Sequence, residues 1–490
     1  MRRKACYPWV ALAFATAIGG CDGDSNATDH SGGPSASEDA GARTDGDDTD
    51  AETWVSPVEE DSFTAVERDQ IGVVPFDQDT MLDYHIYMDP AAYEEMTLHG
   101  DDEQYRRISL QVRGPDVEED YTEVGVRYKG DYSVHHCWDS GGRSFTGECA
   151  KLSIRIKFNE YDRDGRFFGL KKVNLNAMSY DASKLRERLA YSVFNEFGVE
   201  TVRTAHARLF INDMDPVLVL AVEQVDGRYT AYRFPDGGDG NVLKEMWPRP
   251  GRSEEEVLEQ LKTNDDVEDE PDVSRFIAFG DAVGAATEST FLNDMADFVE
   301  VEQLLRYMAV DRAFKNWDGF TAFYWEDRSH NFYWYHDVET TGLFSLIPWD
   351  LDQVVWMLDP SDPYLDPGTP YAERQVPNWN VRPASCDPIL VWDEYDLYPS
   401  GCDPLINLLA ATSWDEFAVL GAELLDTSFS YDDMNAKLTR WAEQIAPAVE
   451  ADPLISTGAW ESAVDQLREI LEQAIDDFEA HLSEGYVVEE

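Results

Sequence analysis

The hydrophobic period changes once along this chain, and that change limits the folds open to it. Between residues 81 and 225 short apolar runs alternate with turn signals. Residues 83–88, 108–112, 124–128, 152–158 and 173–176 all repeat with period two, and residues 205–211 and 217–225 follow as two further strands. From Pro404 onward the apolar residues recur every three or four positions. Leu405, Leu408 and Leu409, then Phe417, Leu420 and Leu424, then Met434, Leu438, Trp441 and Ile445, then Val464, Leu467, Leu471, Ile475 and Phe478 predict four amphipathic helices. Strands gathered early and helices gathered late predict an α+β fold with an α-helical C-terminal region.

The intervening elements refine this plan. Residues 181–197 read as a helix capped by Asp181 and stopped by Gly198, with Leu185, Leu189, Val193 and Phe197 on one face. Residues 161–165 read as a hairpin turn; a calcium loop would need a bidentate Glu where Lys171 stands. Residues 251–300 are acidic and helical in pattern, and are expected to form a peripheral insertion or lid. Residues 301–314 form a further helix. Residues 359–403 hold eight of the 23 prolines and predict a long surface excursion.

The N-terminus carries an address. Arg2, Arg3 and Lys4 precede an apolar stretch too short to span a membrane, and small residues lead to Cys21. Residues 1–20 read as a secretory signal, and the small residues just before Cys21 resemble a bacterial lipobox, which implies Cys21 as the lipidated first residue of an exported lipoprotein; an ordinary cleaved signal is the alternative. Residues 21–61 are polar and acidic and predict a disordered tether. In an oxidising compartment Cys137 with Cys149, and Cys386 with Cys402, are the expected disulfides by proximity. A metal site on His135, His136 and Cys137 lacks the ligand spacing of zinc centres.

No P-loop, HExxH, GxSxG, Rossmann or protein-kinase catalytic-loop signature is present. Instead Asn and Asp recur beside dense aromatic runs, in Lys315-Asn316-Trp317-Asp318-Gly319-Phe320, in His330-Asn331-Phe332-Tyr333-Trp334-Tyr335 and in Ile347-Pro348-Trp349-Asp350-Leu351-Asp352. A hairpin between the last two would bring Asp318, Asn331 and Asp350 together. Two carboxylates and an amide oxygen suit a magnesium ion holding nucleotide phosphates, with one Asp left to orient a hydroxyl. The competing reading is that these groups cap turns between aromatic strands.

This constellation resembles the CotH kinase family, in which an NWD-type motif, an NYYxY-type strand and an IP[WY]D motif occur in that order. Residues 126–130, 151–158, 169–176 and 222–226 resemble it too, so the likeness runs from about Met81 to beyond Trp441. It implies an atypical, minimal protein-kinase-like two-lobed fold, with a nucleotide lobe over residues 62–250, a catalytic and metal-binding segment over 301–358, the proline-rich excursion over 359–403 and a helical lobe over 404–490. It implies ATP and Mg2+ as cofactors, with Mn2+ or Ca2+ as substitutes for the magnesium, and a Ser/Thr hydroxyl of an extracytoplasmic protein as acceptor. Asp318 takes the catalytic position, and Asp350 and Asn331 take the metal positions. Lys151, with Arg155 or Lys157, is the expected phosphate contact, and Glu223 and Gln224 are expected near the nucleotide edge. Twelve residues separate Asp318 from Asn331, more than is typical of the family. Were that length to shift the strand, Asp327 would rival Asn331.

Charge tests these expectations. A net of -59 excludes a nucleic-acid binder, which needs surplus Lys and Arg. Residues 151–208 nonetheless carry twelve Lys and Arg against seven Asp and Glu, a +5 island where a phosphate site is expected. Residues 403–490 hold 20 acidic residues against three basic ones. Because ATP is scarce outside the cytoplasm, a non-catalytic surface lipoprotein that binds a partner or a cation stands as the alternative function, and a wall-associated calcium binder as a third.

Overall fold

The period-two block closes into a barrel. In the computed structural model, which describes residues 68–100, 102–130, 151–234, 238–264, 271–324, 329–358, 378–391 and 395–489, seven strands run β1 (Leu82–Tyr87), β2 (Arg106–Gly114), β3 (Val117–Tyr128), β4 (Ile154–Lys157), β5 (Lys172–Asn176), β6 (Thr204–Ile211) and β7 (Val217–Glu223). Their spatial order is β1-β2-β3-β4-β5-β7-β6, and the β1–β6 seam that closes the barrel is the one parallel pairing among them. Inward residues such as Tyr84, Leu110, Val112, Ile154, Ile156, Val173 and Leu175 fill the barrel. β7 is apolar on both faces because it serves two cores. Val219 and Ala221 point into the barrel, while Leu218, Leu220 and Val222 belong to the larger core outside it.

β3 is longer than its sequence pattern suggests. Its first half carries Glu118, Glu119, Asp120 and Glu123, whose charge masks a strand that needs only one apolar face. Helix α1 (Pro90–Leu98) follows β1, and helix α2 (Arg186–Glu196) lies between β5 and β6. Asp181 is not the α2 N-cap: the helix begins five residues later, and the buried Asp181 carboxylate organises the lead-in turn by accepting the N–H groups of Ser183 at 2.9 Å and Arg186 at 2.8 Å.

A short helix α3 (Gly227–Arg233) and strand β8 (Asn241–Lys244) lead into α4 (Glu254–Glu259), α5 (Ser274–Ala285) and α6 (Phe291–Met295). The expected peripheral lid over 251–300 is instead part of the interior. Phe276, Phe279, Val283, Phe291 and Met295 are buried in the larger core, and Phe279 stacks on Phe344 with centroids 5.6 Å apart. Among the described residues, Glu254, Glu255, Glu259, Asp281 and Glu288 are exposed, which is why composition alone suggests a surface appendage. Helix α7 (Val301–Ala313) then enters the segment that carries the aromatic motifs. There, β9 (Phe323–Tyr324) pairs with a strand over Tyr395–Tyr398, and β10 (Phe332–His336) and β11 (Phe344–Pro348) form a three-stranded sheet with β8 in the order β11-β10-β8.

The C-terminal block holds three helices rather than four: α8 (Pro404–Asp426), α9 (Tyr431–Ala451) and α10 (Thr457–Glu484). The first two apolar groups lie on one 23-residue helix, because buried Ala410, Ser413 and Trp414 carry the core face across the gap between them. Asp403 caps this helix through the N–H groups of Leu405 and Ile406. Cys386 and Cys402 stand at bonding distance with Cα atoms 5.8 Å apart, as expected. Cys21, Cys137, Cys149, Asp327 and residues 359–377 lie outside the described residues. Among those described, no helix is long and apolar enough to cross a membrane.

Candidate active site

The site is assembled where α7 ends, where β10 begins and where β11 ends. Asp311, in the last turn of α7, is 1% exposed and holds the following loop: its carboxylate accepts Asn316 Nδ2 at 2.9 Å and Thr321 Oγ1 at 3.4 Å, and its carbonyl accepts the Asn316 N–H. Burial pushes the Asp311 carboxyl up to about 7 against those two hydrogen bonds. Gly319 completes the turn, since a Cβ there would lie 2.2 Å from Asn316 Nδ2. Asn316 and Gly319 therefore build the loop, and Asp318 is the residue it presents.

Asn331 meets Asp318 directly. Its Nδ2 donates to the Asp318 carbonyl at 2.7 Å and to Oδ2 at 3.0 Å, while its own carbonyl accepts the Trp349 N–H at 2.9 Å from the end of β11. The Asn331 N–H donates to Glu245 Oε1 at 3.2 Å. Both Asn331 (φ 60) and Asp350 (φ 54) adopt the left-handed backbone conformation that Asn and Asp tolerate better than other L-residues, which turns the chain sharply at each end of the hairpin. The Asp350 N–H donates to Tyr191 Oη of α2 at 2.9 Å. The hairpin thus joins the three residues as the sequence suggests. Part of the extra length after Asp318 forms β9, and Asn331 still meets Asp318.

The surroundings are strongly acidic. Burial, then the Asp350 charge, then Glu245, push the Asp318 carboxyl up to about 7, with the Asn331 hydrogen bond opposing. Burial together with Asp350, Glu187 and Asp318 holds Asp352 well above the usual carboxyl range. Facing them is a group that motif reading missed. Lys129, just after β3, donates from Nζ to Asn176 Oδ1 at 2.8 Å, and Asn176 Nδ2 donates to Glu187 of α2 at 2.8 and 3.1 Å. Burial lowers the Lys129 ammonium, while Asp350, Glu187 and Asp352 pull it back. Burial and Asp350 raise the Glu187 carboxyl. The signal was partly available: Lys129 and Asn176 lie at the ends of two strand segments of the family pattern, β3 and β5 on either side of β4, and Glu187 is a carboxylate within a helix buried on most sides.

Of the expected phosphate contacts, only Arg155 faces this group. It donates to Asn174 Oδ1 at 2.9 Å, and its charge acts on both Lys129 and Tyr333. Lys151 is held elsewhere, by the Leu218 carbonyl and by Asp452 Oδ2 at 3.5 Å. Lys157 pairs with Glu160 at 2.6 Å. The Glu223 side chain, fully buried, is spent on Arg203, with Arg203 Nε at 3.0 Å and Nη2 closer still. Gln224 stays close, accepting Asn174 Nδ2 at 3.2 Å and hydrogen-bonding Tyr333.

The donor set fits a hard divalent cation. Asn331 uses its Nδ2 on Asp318 and keeps Oδ1 available, and Asp350 adds a carboxylate; magnesium takes oxygen ligands of this kind and completes its octahedron with water and phosphate. Among the described residues no three His, Cys, Asp or Glu side chains form a metal centre by themselves. An ion here would need the amide oxygen and a ligand as well.

Comparison with known proteins accords with this geometry. A family model described as CotH kinase protein matches residues 126–475. The inner spore coat protein H of Bacillus subtilis (strain 168) is 26% identical over 212 residues, 41% of this chain and 54% of that protein, so the chain spans about half the length of that relative. Among solved structures, the Helicobacter pylori proinflammatory kinase CtkA is 10% identical, covering 68% of this chain and 94% of its own, with a TM-score of 0.26. HipA in the HipA–HipB–operator DNA complex of Shewanella oneidensis MR-1 is 11% identical, covering 80% of each chain, with a TM-score of 0.29. The family match spans most of the chain and every element of the Asp318–Asn331–Asp350 site, and the protein is therefore a member of the CotH kinase family, with that family's α+β, kinase-like fold.

Proposed function

We propose that this protein transfers the γ-phosphate of ATP to a Ser or Thr hydroxyl of an extracytoplasmic protein, acting as a lipoprotein anchored through Cys21. The observation that carries the reading is the direct contact of Asn331 with Asp318 beside Asp350, opposite the Lys129–Asn176–Glu187 chain. Asp318 orients the acceptor hydroxyl. As the acceptor oxygen bonds to the γ-phosphorus and the bond to the β-phosphate oxygen breaks, Asp318 takes the hydroxyl proton and ADP leaves with the bonding pair. A carboxyl held near pKa 7 suits a base that must both accept and release a proton near neutrality. Asp350 and Asn331 Oδ1 would hold magnesium, which when bound neutralises phosphate charge. Lys129, fixed by Asn176, replaces Lys151 as the phosphate-binding cation, and Arg155 assists at the edge.

The test uses the full-length protein. ATP with magnesium is expected to raise the melting temperature, and label from the γ-phosphate is expected to pass to a Ser-rich peptide. Both effects should vanish in Asp350→Asn, and transfer alone should vanish in Asp318→Asn. Transfer that survives Asp350→Asn, or wild-type protein that neither binds ATP nor transfers label, refutes the reading.

A further inference from the structure

We propose that the Cys386–Cys402 disulfide and Tyr324 of β9 position Asp318, so that phosphoryl transfer depends on the redox state of that bond. The inference deepens the reading of the same site and rests on Asp318 as the residue that orients the acceptor hydroxyl. Tyr324 and the two cysteines act through the loop over residues 316–320, which makes them positioning rather than catalytic residues.

Two routes join the disulfide to that loop. The first is a small sheet. The strand Tyr395–Tyr398 lies inside the span that the disulfide closes; it pairs with Ile389–Val391 on one edge and with β9 on the other, Leu397 opposite Tyr324 and Tyr398 opposite Phe323. β9 is only two residues long, and a pairing that short does not hold in water by itself. Tyr324 is buried, and its Oη donates to the Trp317 carbonyl at 3.0 Å, one residue before Asp318. The second route runs through side chains. Asp403, next to Cys402, accepts Trp247 Nε1 on Oδ2 at 2.9 Å while it caps α8. The buried Trp247 ring packs on Phe320 and Phe323, with centroids 4.5 and 4.7 Å away. Phe320 follows Gly319, so both routes end within two residues of Asp318.

Cys386 is exposed, which opens the bond to a dithiol. The dithiol supplies two electrons and two protons, the bond becomes two thiols, and the dithiol is oxidised to its own disulfide. Opening the span restores chain entropy to the segment that carries Tyr395–Tyr398 and so withdraws the support of β9. Neither route reaches the other half of the site, where Lys129 is held by Asn176 and the Asp350 N–H by Tyr191. The loss therefore falls on turnover and not on nucleotide affinity.

The test compares the full-length wild type with the double variant Cys386→Ala and Cys402→Ala. Hydrogen exchange over residues 314–324 should be about tenfold faster in the double variant while the barrel strands keep their protection. Label transfer should fall about tenfold in kcat with ATP affinity unchanged. Dithiothreitol should reproduce both changes in the wild type and add nothing in the double variant. Tyr324→Phe, which keeps the ring and the disulfide, should lower kcat about tenfold, the worth of one hydrogen bond, without moving ATP affinity. If the double variant does not fold, the reduced wild type and Tyr324→Phe carry the test. Unchanged exchange over 314–324, a loss of protection shared equally by the barrel, or wild-type kcat in Tyr324→Phe would each overturn the inference. An oxidised wild type that transfers no label would refute the kinase reading instead, and the exchange comparison would still decide the coupling.

Discussion

Replacing Asn176 with Leu tests the Lys129–Asn176–Glu187 chain most directly. Asn176 is 6% exposed and makes three hydrogen bonds to charge-bearing groups: one from Lys129 Nζ at 2.8 Å and two to the Glu187 carboxyl at 2.8 and 3.1 Å. Hydrogen bonds to charged groups contribute roughly 1.5–3 kcal/mol each, and breaking a buried charged network by removing one partner costs roughly 3–5 kcal/mol. Leu matches Asn in heavy-atom count and in branching at Cγ, so it leaves no cavity, and the loss should be chiefly electrostatic with a smaller contribution from its bulkier methyl groups. A destabilisation of about 3–4 kcal/mol is expected in guanidinium unfolding, because Lys129 and Glu187 can partly close on each other and recover some of the difference. The second readout is nucleotide affinity. With Lys129 no longer aimed at the Asp350 side, ATP–magnesium should bind about tenfold or more weakly. A cycle with Lys129→Met separates the effects: if Asn176 acts through Lys129, the double variant should lose little more affinity than either single one. Stability reduced by less than about 1 kcal/mol with unchanged ATP affinity would refute the argument.

Three further outcomes follow from the same geometry. Gly319→Ala would place a Cβ 2.2 Å from Asn316 Nδ2 and 2.9 Å from Asp311 Oδ1, so it should cost about 1–3 kcal/mol and abolish label transfer; a fully active variant in the transfer assay would contradict the account of the loop. Glu223→Gln should lower stability by about 3–5 kcal/mol through Arg203 while folded protein keeps its ATP affinity in a binding titration, and a selective loss of affinity would restore Glu223 to the nucleotide site. His481 is 1% exposed, and burial, then the Arg312 charge, hold its pKa well below the usual 6.5. A depressed folded pKa means that its neutral form contributes fully above about pH 6.5 and that stability falls as pH drops below it, by up to about 1.4 kcal/mol per unit. Between about pH 7.5 and 5 the denaturation midpoint of the wild type should fall relative to that of His481→Leu; a constant difference would rule the linkage out.

The basic island over residues 151–208 shows what a count of charge can and cannot say. The stretch does adjoin the site, and Arg155 faces it. Most of its other cations are structural. Lys151 reaches Asp452, Lys157 pairs with Glu160, Lys172 lies 3.9 Å from Asp226, Arg203 holds Glu223 and Arg208 grips Asp83 at 2.6 Å. Arg188 is almost fully buried, and donates to Gln78 and Gln444 beside His206. The cation best placed for phosphate, Lys129, lies outside the island, where counting could not find it.

Local pattern was enough for the strands of the barrel, the helix before Asp318 and the hairpin that joins Asn331 to Asp350, because those elements depend on the period of apolar residues and on turn chemistry between near neighbours. It misjudged residues 251–300, where outward acids hid an inward face of Phe276, Phe279 and Phe291, and it split α8 in two where Ala410 and Trp414 carry the face onward. What tertiary structure alone decided is the pairing of buried charge. A lysine's role depends on which carboxylate or amide lies within about 3 Å, and those partners come from strands and helices far apart in the chain: Lys129 with Asn176, Lys151 with Asp452, Arg203 with Glu223. The sequence determined the elements and the family; only the packing of barrel on helices determined which charges remain to meet a phosphate.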